Sequence, residues 1–237
     1  MSNSRKRANG YSLVELLVAT VLFTIVAGTV FSLLLSAQLR YRGESDVTTA
    51  FQQANVAIDQ ITRDVHSAGY PPANSFPANV NPMLVALPFS WSLGSGYPNA
   101  PCTVNGSCGA FPAGYDLILE TDTGDGHGVQ WIRYSLQGTT LMRGVAKKAQ
   151  FGQFADPVAS TDASLTPYLE NVQNGPGIKS LPIFSYCYDG TVCPSVTGLV
   201  SSIREVNVML IVQSAQPDPQ TGQFRTITLT GNATRFN

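Results

Sequence analysis

A single carboxylate, Glu15, stands at the start of an apolar stretch in which Leu16–Ala37 contains no charged residue. Gly10 lies five residues before it, and the basic cluster Arg5–Arg7 precedes the glycine. A charge at the centre of a bilayer costs about 3 kcal/mol, and less near the interface. The sequence therefore predicts a chemical role for Glu15, as a helix cap or as the partner of a positive charge.

Both roles follow from the neighbours of Glu15. Ser12 and Glu15 fit the S-x-x-E capping box, in which the two side chains bind free amides at a helix start. Alternatively, Glu15 could neutralise a positive charge on a neighbouring subunit in the apolar medium. The two roles are compatible, because the cap can form in a monomer and the ion pair in an assembly.

The loop Asp122–Gly128 is the most ligand-like segment, but it lacks the alternating acids or amides and the later Glu of an EF-hand. Because Gly and Asp are also typical of hairpins, a plain turn is favoured over calcium binding. The two histidines, His66 and His127, accompany no nucleophile elbow, phosphate loop, dinucleotide fingerprint or HExxH motif. We therefore predict no catalytic residue, cofactor site or metal site, and no enzymatic activity.

The four cysteines form two closely spaced pairs, Cys102 with Cys108 and Cys187 with Cys193, and each interval contains an Asn-Gly or Asp-Gly turn. Four cysteines allow three connectivities, and the matched spacing favours two local disulfides, which require an oxidising compartment. A metal site, which lacks the usual ligand spacing, and free buried thiols are the alternatives.

Composition bounds the class of protein. The 237 residues are 43% hydrophobic and only 12% charged, with 14 basic and 15 acidic residues. A near-neutral chain lacks the excess of basic residues that attracts nucleic acid, and it lacks an acidic tail that would bind a cationic partner. Low charge with many small polar residues is typical of an exported, loop-rich protein.

The apolar stretch is long enough to cross a membrane, because Leu16–Ala37 makes a helix of roughly 33 Å. Arg5–Arg7 would hold the N-terminus in the cytoplasm and send the chain after residue 40 across the membrane. An ordinary secretory signal is the competing interpretation. The stretch is longer than a usual signal, contains Glu15, and continues without a Gly/Pro break into a second helical pattern.

That second pattern predicts an amphipathic helix that continues the first. Gly43 is a possible bend, and the helix should end at Ser67 or Ala68, since Gly69 suits a helix end and Pro71-Pro72 forbid continuation. The apolar stripe to be buried comprises Val47, Phe51, Ala54, Ile58, Ile61 and Val65.

A row of small residues also follows the apolar half at intervals of four. Such a row lets helices approach closely in an apolar medium, although small residues are common enough in membrane helices for chance to explain it. Its members are Thr20, Thr24, Gly28, Ser32 and Ser36.

The sequence after the helix predicts a β-rich domain. Its sheet should pack on the amphipathic half of the helix, which gives an α+β fold. Residues 70–115 contain eight of the fifteen prolines and read as a long surface connection. Residues 144–177 are irregular, with a helical turn near Leu165–Asn171. The predicted strands are Tyr115–Glu120, Val129–Leu136, Thr140–Arg143, Leu181–Tyr188, Ile203–Gln213 and Phe224–Thr230.

Gly10, the segment Tyr11–Glu15 and the long helix together resemble the class III signal of type IV pilins and type II secretion pseudopilins. The resemblance implies that a prepilin peptidase cuts between Gly10 and Tyr11 and then N-methylates Tyr11, where the family usually has Phe. It also implies that Glu15 acts in filament assembly. The expected organisation is a leader at 1–10, a helix at 11–68 that spans the membrane at about 13–37, and a periplasmic or extracellular domain at 69–237.

The order of elements also resembles the PilW-like minor pilins and the J-type minor pseudopilins. The similar pieces are Arg63–Tyr70, Trp131–Tyr134, Leu141–Arg143, Leu169–Val172, Phe184–Tyr186 and Ala233–Asn237. The resemblance implies a minor pilin that initiates or caps a type IV pilus. Its partners would be other major and minor pilins, through the helix, and the prepilin peptidase, without nucleic acid.

Such a subunit would first lie in the bacterial inner membrane with a single span and a periplasmic C-terminus, and then join the pilus or pseudopilus. The alternatives are a J-type minor pseudopilin of a type II secretion system, or a membrane-anchored periplasmic binding protein or enzyme.

Overall fold

A computed structural model of the chain describes residues 12–77, 81, 84–91, 96–109, 112–150, 153–154, 156–188 and 198–235. A long N-terminal helix packs through its second half on antiparallel sheets, so the predicted α+β class is confirmed. The predicted leader, residues 1–10, and Tyr11 lie outside the described residues.

The first helix, α1, spans Leu13–Ser67 and is 55 residues long, or roughly 80 Å. It passes through Gly43 without interruption and ends where the sequence predicts. Gly69 has a φ of +82°, a left-handed conformation that favours glycine, and its N–H donates to the backbone oxygen of Glu120 at 2.8 Å. The helix end is therefore joined directly to the sheet.

The other elements are short. In chain order they are β1 (Thr103–Val104), β2 (Asp116–Thr121), β3 (Gln130–Gln137), β4 (Thr140–Lys147), β5 (Ala149–Gln150), β6 (Gln153–Phe154), α2 (Pro157–Asp162), β7 (Thr166–Leu169), β8 (Phe184–Tyr188), β9 (Gly198–Leu199), β10 (Ile203–Gln213) and β11 (Thr226–Thr234).

Two larger sheets form the body of the domain. One has the strand order β2-β3-β4-β7 and the other has the order β11-β10-β8, while β1 with β9 and β5 with β6 form two small pairs. All the pairings in the larger sheets are antiparallel. The predicted strand at Ile203–Gln213 coincides with β10, and the five other predicted strands overlap β2, β3, β4, β8 and β11.

The second half of α1 buries one face, mainly against β10 and β11. Phe51 was predicted in this face, but its side chain is 45% exposed, and Ala50 and Ala57 are buried instead. The small side chains allow the strands to approach the helix closely. The buried residues are Ala50, Ala54, Ala57, Ile58, Ile61, Asp64 and Val65.

The tightest approach is at Gly231 of β11, where a Cβ would lie 2.5 Å from Cγ2 of Ile58. Because the branched side chain of Ile58 is stiff, we expect Gly231→Ala to lower the free energy of unfolding by about 1–3 kcal/mol. Ile58→Ala in the same chain should make the Gly231→Ala substitution less costly. Thermal unfolding measures both. Gly28→Ala is the control, since no described atom beyond the adjacent helix backbone lies within 4 Å of its added Cβ. If Gly231→Ala were as stable as the parent, the close approach of β11 to Ile58 would be contradicted.

Two predictions about the connections are wrong. Residues 70–115 are not only a surface connection, because Phe89, Trp91 and Tyr97 are buried in the hydrophobic core. Burying their large apolar side chains stabilises the fold more than leaving them exposed in a loop. The helical turn predicted near Leu165–Asn171 is instead the strand β7, which pairs with β4. A helical turn occurs earlier, at α2, which begins with the N-cap Asp156 and a proline.

Candidate functional site

The first half of α1 exposes almost all of its apolar side chains. Leu13, Phe31 and Tyr41 are 80%, 66% and 75% exposed, respectively. An 18-residue window in α1 has a mean hydropathy of 2.4 with none of its residues buried, so by length and composition the helix could cross a membrane. Such a surface costs free energy in water, and it fits a membrane anchor.

Glu15 lies in the first turn of this exposed segment and completes the predicted capping box. The Ser12 N–H donates to Oε2 of Glu15 at 3.2 Å, and the Glu15 N–H donates to Oγ of Ser12 at 3.3 Å. An ionised carboxylate has about four acceptor sites. The cap therefore leaves most of the exposed Glu15 carboxylate open to a second partner.

The hydroxyl groups in the apolar segment bond within the helix. Thr20, Thr24 and Thr29 donate to the backbone oxygens of Leu17, Val21 and Val26 at 2.8–2.9 Å. These bonds remove the cost of placing a hydroxyl in an apolar medium. Among the described residues, no atom beyond the adjacent helix backbone lies within 4 Å of a Cβ built on Gly28, so these residues do not require a glycine there. The small-residue row of Thr20, Thr24, Gly28, Ser32 and Ser36 is fully exposed.

The globular part meets α1 close to the end of the apolar segment. The connection between β10 and β11 touches the helix at Gly43, where a Cβ would lie 3.3 Å from Cδ of Pro219. Arg40, Tyr41 and Arg42 come directly before this contact and are exposed. Leu39 and Tyr41 also line a depression with Gln216 and Pro217 of this connection. Within the described part of the chain, the apolar segment therefore extends from the globular part as far as about residue 38.

The remaining sites predicted from sequence lie in the globular part. Cys102 and Cys108 are joined by a disulfide, as their spacing predicts. Cys187 is also disulfide-bonded, whereas Cys193 lies outside the described residues. Gly10 and Tyr11, the predicted cleavage and methylation positions, also lie outside them, so they stay predictions.

The loop Asp122–Gly128 forms turns with its own carboxylates. Asp122 accepts from the Gly124 N–H and Asp125 accepts from the His127 N–H, both at 2.9 Å. The His127 N–H and the Gln130 amide hold the pKa of Asp125 below its usual value. The carboxylates therefore serve the turn geometry. Within the described part of the chain, no group of three or more His, Cys, Asp or Glu could hold a metal ion.

Sequence reasoning missed a polar junction between α1 and the sheet. Asp64 is 6% exposed, and its Oδ2 accepts from the Tyr134 hydroxyl at 2.5 Å and from Arg143 at 3.0 Å, while Oδ1 accepts from Gln60 at 2.8 Å. Burial and the charge of Asp64 raise the pKa of Tyr134 above its usual range. In the sequence, only the position of Asp64 beside the predicted apolar stripe could have suggested this junction. Its partners in the sheet, Tyr134 and Arg143, lie more than 60 residues away along the chain.

A second buried network connects residues 84–91 and Tyr97 to the sheet. Glu120 and Lys148 are 0% and 1% exposed and lie 2.5 Å apart, and Lys148 also donates to the Val85 oxygen at 2.8 Å. The groups that donate to the Glu120 carboxylate are the Leu87 N–H, the Ser90 and Tyr97 hydroxyls, the Trp131 indole and the Lys148 ammonium. Because each charge has an oppositely charged partner and at least one further hydrogen bond, the network is best explained as structural.

Residues 5–31 match the family model of the prokaryotic N-terminal methylation motif. The match supports a type IV pilin-like or pseudopilin protein, and the motif implies processing by a prepilin peptidase and assembly with other pilins. It covers the start of the chain, including Glu15 and the exposed half of α1, and does not extend into the globular part. No curated protein and no solved structure matches the chain.

Proposed function

We propose that this chain is a minor pilin, which is made as a membrane precursor, cut after Gly10, and incorporated where it initiates or caps a type IV pilus. The observation that carries the proposal is an acid in the first turn of a helix whose apolar first half is exposed, within a methylation motif. The precursor crosses the bacterial inner membrane once, with its globular part in the periplasm.

The dimensions of α1 support a membrane-inserted precursor. The segment Leu13–Tyr41 extends for about 43 Å, which matches a bilayer together with its headgroup regions. Arg40, Tyr41 and Arg42 end this segment, and aromatic and basic side chains are favoured at the interface of a membrane with water. The contact of Gly43 with Pro219 of the globular part lies just outside that interface.

In the filament, other helices replace the lipid around α1. Cleavage after Gly10 creates an ammonium on Tyr11, and an apolar surrounding makes a single charge costly. Glu15 of an adjacent subunit is exposed and only partly engaged by its cap, so it can pair with this ammonium and set the stagger between two helices. A J-type minor pseudopilin would use the same helix in a type II secretion system.

The N-terminus of the mature protein tests the proposal. Mass spectrometry of the chain purified from cells with an active prepilin peptidase should find Tyr11 as the first residue, with the mass of a methyl group added. Gly10→Val should leave the leader attached. An intact leader on the parent protein would exclude a pilin-like role and favour a membrane-anchored periplasmic protein.

The small-residue row gives a separate test of helix packing. We expect Gly28→Leu to leave membrane insertion and cleavage unchanged, because no described residue outside the adjacent helix backbone lies within 4 Å of a Cβ at this position. Its incorporation into filaments should fall by about tenfold, since a large side chain keeps the helices apart. Immunoblots of sheared filaments and of membranes measure the two fractions. Val26→Leu, on a different helical face, is the control. If Gly28→Leu were incorporated as well as Val26→Leu, the small-residue row would not lie in a helix interface.

A further inference from the structure

We propose that a depression between α1 and the β10–β11 connection binds the headgroup of an ethanolamine phospholipid. This interfacial depression has a volume of about 410 Å³, within the range of small-ligand sites. The inference rests on the membrane-inserted precursor of the proposed function, because it uses the level of the bilayer along α1. The lining residues that carry the argument are Tyr41, Arg42, Asp46, Gln216, Pro217 and Pro219.

Two contacts of the globular part with α1 place the interfacial depression at the membrane surface. Pro219 of the connection meets α1 at Gly43, whereas Gly231 of β11 meets α1 at Ile58. The two helix positions are roughly 22 Å apart along the helix axis. The strand β11 therefore runs along α1 away from the apolar segment, and the connection before it points towards that segment. The interfacial depression thus lies at the level where the helix leaves the bilayer.

Arg42 and Asp46 bring opposite charges to the interfacial depression. They are one helical turn apart, so they lie on the same side of α1, with Asp46 about 6 Å further from the apolar segment. Among the described residues, neither side chain makes an ion pair or a hydrogen bond, with the other or with a third group. Asp46 is nevertheless half-buried. A carboxylate in such a position gains free energy when a cation reaches it.

Other charged groups at this level are engaged elsewhere. Arg225 pairs with Asp218, and the Arg40 guanidinium donates to the side-chain oxygen of Gln220 at 2.7 Å. Together with Glu44, these residues line a separate and smaller depression. The interfacial depression therefore contains the pair of opposite charges that is open to a ligand.

The order of the two charges matches that of an ethanolamine phospholipid, in which the phosphate lies beside the acyl chains and the ammonium lies further out. Arg42, next to the apolar segment, can donate to the phosphate oxygens, and Asp46 can accept from the ammonium. Tyr41 and Arg42 also line a groove with Leu34 and Ala37, along which an acyl chain of the same lipid can pack. A phosphatidylglycerol headgroup has no ammonium and would place its net negative charge near Asp46.

Native mass spectrometry tests the inference on the full chain, released from nanodiscs with equal amounts of phosphatidylethanolamine and phosphatidylglycerol. The parent should retain phosphatidylethanolamine in preference to phosphatidylglycerol. Asp46→Asn should reduce this preference about fivefold, because it removes the partner of the ammonium and keeps the size of the side chain. Glu44→Gln is the matched control and should keep the preference, since Glu44 is an acid at the same level that lines the other depression.

Arg42→Gln should lower the retention of both lipids about fivefold, because both carry a phosphate. Arg40→Gln is its control and should retain them as the parent does. Equal retention of the two lipids by the parent, an unchanged preference in Asp46→Asn, or unchanged retention in Arg42→Gln would each overturn the inference. The N-terminal mass of the same samples tests the proposed function separately: an unprocessed leader would remove the pilin role, whereas a processed chain without lipid preference would overturn this inference alone.

Discussion

Glu15→Ala is expected to reduce the incorporation of this chain into filaments by a factor of about one hundred or more. The ammonium of the neighbouring Tyr11 would lose its partner in an apolar surrounding, which costs about 3–5 kcal/mol. The precursor should still insert into the membrane and be cleaved, because the apolar surface of Leu16–Ala37 is unchanged. Quantitative immunoblots of sheared filaments and of membrane fractions measure the two outcomes.

Glu15→Gln separates the two roles of the acid. Glutamine can complete the same capping box with Ser12 but carries no charge. Loss of the cap alone costs only about 1 kcal/mol. If the charge matters, Glu15→Gln should fail to incorporate nearly as completely as Glu15→Ala. Normal incorporation of Glu15→Gln would mean that the carboxylate acts only as a cap.

Glu120→Ala is expected to give the largest loss of stability in the globular part. It removes the partner of Lys148, whose ammonium is 1% exposed and 2.5 Å from the carboxylate. An unpaired buried charge costs about 3–5 kcal/mol. For a domain of this size, the expected decrease in Tm is on the order of 10 °C. Thermal unfolding of the full chain in detergent, followed by near-ultraviolet circular dichroism of Trp131 and its neighbours, measures the change.

The double variant Glu120→Leu with Lys148→Met is the matched control. It replaces both charges with apolar groups of similar size, which is often close to neutral for a buried pair. It should therefore be more stable than Glu120→Ala, although the donors of Ser90 and Tyr97 lose their acceptor. If Glu120→Ala unfolded at the same temperature as the parent, the pair would not hold residues 84–91 and Tyr97 on the sheet.

Local rules explain what could be predicted from sequence. The start of α1 follows from Ser12 and Glu15, and its end follows from Gly69, because caps depend on residues only a few positions apart. The run of β-branched and apolar residues at Ile203–Gln213 marks β10. The same rules failed at Phe51, because the width of the buried stripe depends on which side chains the sheet reaches.

The sequence by itself determined the apolar half of α1, the capped acid at its start and the local disulfide between Cys102 and Cys108, since each depends on neighbours along the chain. Only the tertiary structure decided that Asp64 and Glu120 are buried in polar networks. Except for Gln60 and Trp131, which are near in sequence, their partners lie between 23 and 79 residues away along the chain. No periodic pattern in the sequence specifies such contacts. The interfacial depression is also a tertiary property, because it forms only where the β10–β11 connection meets α1.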